Sequence, residues 1–150
     1  MRTLIMAALI LATPLASAQA PAAPAPAAAL PRSASPPGAE AYIISPKDGA
    51  TVTSPVLVQF GLKGMGVAPA GVKFDNTGHH HLLIDTDAPA DPGAPLPATD
   101  KIVHFGKGQT EASVPLSPGK HTLQLLLGDQ NHVPHNPPVI STRITITVAK

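Results

Sequence analysis

The chain has no cysteine and no tryptophan, one tyrosine, three phenylalanines and 13% charged residues among its 150. Without thiols there is no disulfide, no thiolate metal site and no cysteine to carry a lipid after an export signal, so stability must come from the apolar core alone. Few aromatics and scattered charge exclude the basic stripe with stacking rings that nucleic acid requires, and no polybasic run points to anionic lipid. Beyond the N-terminus no apolar run approaches the length of a bilayer, so membrane insertion is not expected. No segment has the apolar spacing of a helix.

What is there begins with a leader. Arg2 supplies a positive start, Leu4 to Leu15 form an apolar stretch, and Ala16-Ser17-Ala18 is a small-residue cleavage site. Residues 1–18 therefore read as a signal peptide, with Gln19 first in the exported chain and a periplasmic or secreted location. Losing Arg2 reduces ten basic and nine acidic side chains to nine of each, so the exported chain is formally neutral. Residues 19–40 carry Pro21, Pro24, Pro26, Pro31, Pro36 and Pro37 among alanines, which reads as a stiff, disordered linker without chemistry of its own. The folded part is expected over residues 41–150 as one domain without internal repeats.

Within it, Val56, Val58, Phe60 and Leu62 alternate with Leu57, Gln59, Gly61 and Lys63, the period of a strand with one buried face. Ile144, Ile146 and Val148 alternate in the same way with Thr145, Thr147 and Ala149. Further strands are expected at Ala41–Ser45, His79–Asp85, Ile102–Phe105, Gln109–Val114 and Lys120–Gly128, separated by clusters of Gly, Pro, Asn and Asp. Seven short strands at nearly regular spacing predict an all-β fold, an immunoglobulin-like antiparallel β-sandwich.

Five of the seven histidines lie in two tight clusters, Gly78-His79-His80-His81 and Gly128-Asp129-Gln130-Asn131-His132-Val133-Pro134-His135. Imidazole is the commonest metal-ligating side chain, and crowded imidazoles repel one another once protonated. If segment 79–85 runs antiparallel to segment 120–128, both clusters meet at one rim of the sandwich. His79, His81, His132 and His135 are then candidate ligands, and His104 joins them if its strand returns to that rim. Side chains alternate along a strand, so His80 points away from His79 and His81, toward the face it shares with Leu82 and Ile84. Asp129 has two readings, ligation or an Asx-type turn that caps backbone donors. His121 starts its strand at the opposite end and reads as a structural corner. Imidazoles with one carboxylate suit Cu(II) or Zn(II); Met65, the only methionine after the leader, offers no soft Cu(I) site.

The phrases GHHHLLID, VHFGKGQTE, PGKHTLQLLLGDQNHVPH and NPPVIS, in this order and spacing, resemble a family of small exported bacterial domains of unknown function. The resemblance covers about His79 to Val148 and implies an exported, immunoglobulin-like domain, with no catalytic residue to carry over. Val103-His104-Phe105-Gly106 is also similar to a phrase of copper-zinc superoxide dismutase, but Ile102 stands where that family has a second histidine, and its cysteines are absent. The leading expectation is a metal-binding module. The alternative is a non-metal envelope module whose histidines are hydrogen-bonding pins and whose partner is an envelope protein. An enzyme is not expected: Asp85 and Glu111 are the only acids worth testing, and both fall where solvated strand positions are expected.

Overall fold

The computed structural model describes residues 30–150, which form nine strands and no helix. In chain order these are β1 (Glu40–Ser45), β2 (Thr51–Val52), β3 (Val56–Lys63), β4 (Gly66–Val67), β5 (Thr77–Ile84), β6 (Ile102–His104), β7 (Glu111–Val114), β8 (Gly119–Gly128) and β9 (Ile144–Val148). One sheet has the order β1-β3-β7; the other runs β2-β9-β8-β5-β4, with β6 also paired to β5. All seven expected strands are present, and β5 and β8 are antiparallel neighbours as the histidine argument required. β2 and β4 were not expected, because two residues carry no period; both join their neighbours in parallel.

The alternating residues explain the sandwich. Val56, Val58 and Phe60 of β3 face Leu123, Leu125 and Leu127 of β8 and Ile146 and Val148 of β9 in one cluster of buried side chains, joined by Leu82 and Ile84 of β5. Each such burial contributes about 1.5–3 kcal/mol. A smaller cluster of Leu83, Leu96, Ile102 and Leu126 lies on the outward face of the larger sheet, beneath the long β5–β6 connection. β5 and the end of β8 are therefore buried on both faces, which is why Leu125, Leu126 and Leu127 run together instead of alternating with polar residues.

The expected signal peptide and the first part of the expected linker, through residue 29, lie outside the described residues. Its last part is tied down. Ser35 N–H donates to Asn136 O at 3.1 Å and Asn136 N–H to Ser33 O at 2.9 Å, so this stretch lies against the β8–β9 connection before β1 starts at Glu40. Among the described residues no helix is long and apolar enough to cross a membrane.

His121 is the corner expected of it. Its Nδ1 lies 2.7 Å from Asp85 Oδ2 and its Nε2 2.9 Å from Ser117 O, while Thr122 N–H donates to Asp85 Oδ1. Neither Asp85 Oδ2 as a carboxylate nor a carbonyl oxygen has a proton to give, so this geometry favours an imidazolium donating at both nitrogens. Hydrogen bonding to Asp85 raises the His121 pKa from 6.5 against the opposing effect of burial. A raised pKa means that the contribution is complete below 6.5 and disappears as pH rises through the folded value. The stability gap between wild type and His121→Phe, read from urea midpoints, is therefore expected to be widest near pH 6 and to shrink by pH 9. A gap independent of pH would refute the cationic clamp.

Candidate metal centre

Strand register assembles the site. His79 pairs with Gly128 of β8, and His81 pairs with Leu126 of β8 and with His104 of β6. Alternation then places His79 and His81 on the outward face of the larger sheet, beside His104 across the ladder. The β8–β9 connection brings His132 over the same face. One ring nitrogen from each of His79, His81, His104 and His132 lies within 4.8 Å of the other three. The ring centroids of His79 stand 4.8 Å from His81, 5.0 Å from His104 and 4.9 Å from His132, and those of His104 and His132 are 4.7 Å apart.

Glycines make the crowding possible. A Cβ at Gly128 would stand 2.8 Å from His81 Cε1, and one at Gly106 would stand 2.2 Å from His104 Cε1. A larger residue at either position would force the neighbouring imidazole to shift. Sequence reasoning missed both glycines as site residues, although Gly128 closes β8 and Gly106 lies two residues after His104.

The loop that delivers His132 is organised by Asp129. Its Oδ1 accepts from Asn131 N–H at 2.8 Å and Val133 N–H at 3.1 Å, on either side of His132, and its carbonyl accepts from His132 N–H at 2.9 Å. Ser33 donates to its Oδ2 at 2.7 Å, and Leu96 N–H donates to the His132 carbonyl at 2.9 Å from the β5–β6 connection. His132 itself sits at φ 66°, a left-handed conformation that persists only where surrounding contacts over-determine it. Of the two readings of Asp129, the turn cap is the one seen here; the carboxylate stands outside the four-histidine group, though near enough to pull against the lowering of the His79 pKa.

His135 also stands outside the group. It is buried, with Nε2 3.2 Å from Thr77 O, and its ring abuts Gly78, which shares His80's face of β5. The connection turns over between His132 and His135, and spacing alone did not reveal that. His80 faces the main core as expected, its ring centroid 5.2 Å from that of Phe60.

The electrostatics favour neutral ligands. Burial, followed by the charges of His132 and His104, pushes His79 down from 6.5 to about 4. Burial, followed by His79, His104 and His132, takes His81 to about 3, and burial with His132 lowers His104. At neutral pH these imidazoles are uncharged, each with one ring nitrogen free of a proton. His79 Nε2 and His132 Nδ1 are 3.1 Å apart, but both ring nitrogens of His81, Nε2 of His104 and Nδ1 of His79 are buried without a hydrogen-bond partner among the described residues. Buried polar atoms are rarely left so, and a cation shared by the four rings would take one nitrogen from each, including one of the two on His81. Tetrahedral M–N bonds of 2.0–2.1 Å place ligand nitrogens about 3.3 Å apart, so inward shifts on the order of 1 Å complete the shell.

Residues 58–149 match the model of a family described as a domain of unknown function, DUF4399. No curated protein and no solved structure matches the chain.

Proposed function

The chain belongs to the DUF4399 family of domains of unknown function, and we propose from its site that it is an exported metal-binding domain holding one Cu(II) or Zn(II) ion on His79, His81, His104 and His132. The observation that carries this reading is the convergence of one ring nitrogen from each of four imidazoles within 4.8 Å. Nitrogen-only ligation suits these two ions, and intrinsic affinity favours Cu(II) over Zn(II). Met65 packs against the main core and supplies no soft ligand. Four ligands from the protein close the coordination shell, which fits retention of an ion better than turnover, since catalytic zinc keeps one position for water or substrate. The leader-like first eighteen residues support the export part of this proposal.

The reading of the histidines as hydrogen-bonding pins fits His121 and His135, whose rings are bonded to fixed oxygens. It does not account for His81, neither of whose ring nitrogens has a hydrogen-bond partner among the described residues. The test is equilibration of the exported chain with Zn(II) or Cu(II), removal of free ion, and measurement of what is retained. One ion per chain is expected, with His79→Ala and His132→Ala each weakening binding roughly a hundredfold or more, beyond the usual effect of losing an outer-shell partner. His121→Ala, at the opposite end, should retain the ion. Failure of the wild-type chain to keep a stoichiometric ion would end the proposal.

A further inference from the structure

The segment Arg32–Ser35 falls in what composition marks as a spacer, yet it makes more directed contacts than a spacer needs. Arg32 Nε donates to Pro134 O at 3.0 Å and Arg32 Nη2 donates to His135 O. Ser35 and Asn136 exchange backbone bonds with the partner stretch, and Ala34 bridges Asn136 in parallel. All of these contacts fall on the β8–β9 connection, the one that carries His132.

We infer that Arg32–Ser35 is a latch on the histidine site: docked, it keeps His132 in the ligand group, and undocked, it lets the ion go. The inference rests on the metal-binding reading above and adds its regulation. The chain of contacts is short. The Ser33 hydroxyl donates to Asp129 Oδ2, and Asp129 Oδ1 and its carbonyl hold the three backbone N–H groups of Asn131, His132 and Val133. Asp129 is fully buried with the strap in place, so losing the Ser33 hydroxyl leaves its carboxylate short of a donor. His132 occupies its left-handed conformation by virtue of those same bonds. The other three ligands stand on β5 and β6, within the sheet, so His132 is the ligand that leaves first.

Linkage makes the effect reciprocal: whatever factor docking adds to metal affinity, bound metal adds to docking. The experiment uses residues 19–150 and Zn(II) as the probe, with affinity read by competition against a chromophoric chelator. Ser33→Ala is expected to weaken Zn(II) binding about tenfold, within the usual range of coupling between sites. In the wild-type chain, Zn(II) should slow amide exchange at Ser35 and Asn136, whose N–H groups are the strap's own bonds. A Ser33→Ala affinity equal to wild type overturns the latch, as does exchange at Ser35 that ignores Zn(II). The exchange measurement needs no variant, so it stands even if Ser33→Ala fails to fold. The wild-type titration separates the two failures: no Zn(II) retention sinks the metal site and the latch together, whereas tight retention without coupling sinks the latch alone.

Discussion

Acidifying the metal-free domain from pH 6.5 toward pH 4 is expected to remove much of its stability. His79 and His80 are pushed down to about 4 and His81 to about 3, in each case first by burial. Their unfolded values lie near 6.5, so the unfolded chain takes up protons that the folded chain refuses. The stability these neutral rings carry is complete above 6.5 and is lost as pH falls toward the folded values. One such imidazole accounts for roughly 3 kcal/mol over that interval, and domains of this size have only about 5–15 kcal/mol in total. Urea midpoints measured at half-unit steps should fall steeply below pH 6.5, before most carboxylates titrate. Saturating Zn(II) should move the fall to lower pH, because the ligands are bound in their deprotonated form. A midpoint that is flat between pH 6.5 and 5 would show that the rings accept protons without opening the fold. The clamp at His121 has the opposite sign and weakens only above 6.5, so the metal-free domain should be most stable near neutrality.

His80→Leu is expected to stabilise the domain, by about 1–3 kcal/mol at pH 7. The ring is fully buried between the sheets, and neither nitrogen has a hydrogen-bond partner among the described residues. Burying an unpaired polar group costs about that amount, whereas leucine is similar in size and apolar, like Leu82 and Ile84 on the same face. The same substitution removes one of the acid-sensitive rings, so the low-pH limb of the stability curve should become shallower. It leaves the outward face untouched, and metal affinity should stay within about threefold of wild type, a difference of ~0.7 kcal/mol. A urea midpoint lower than wild type would show that His80 contributes through its nitrogens after all.

How far the sequence could be read varied with the kind of order involved. The long strands were legible because apolar alternation is written residue by residue, as in Val56–Lys63 and Ile144–Val148. β2 and β4 were not, since two residues define no period. Sandwich topology made β5 and β8 antiparallel neighbours, and that pairing led to the meeting of His79 and His81 with the loop after β8. His104 followed once β6 was placed antiparallel to β5. What composition and period did not reveal was the path of an irregular loop. His132 and His135 are three residues apart, yet one meets the ligand group and the other abuts Gly78, because φ 66° at His132 and the bonds to Asp129 turn the chain between them. Ser33 was hidden for a different reason. A single hydroxyl in an Ala-Pro-rich stretch has no pattern, and its acceptor is 96 residues away in sequence.

β5 is paired with β8 and β6 and adjoined by β4, so its backbone is held from both edges. Three consecutive histidines on such a strand are interchangeable in composition but not in place. Removing or adding one residue within it would exchange the two odd-numbered rings for the even one, turning ligands into core and core into a lone ligand. The domain thus encodes its candidate ligand set as the parity of a strand, a property that substitution elsewhere leaves intact and a single-residue insertion destroys.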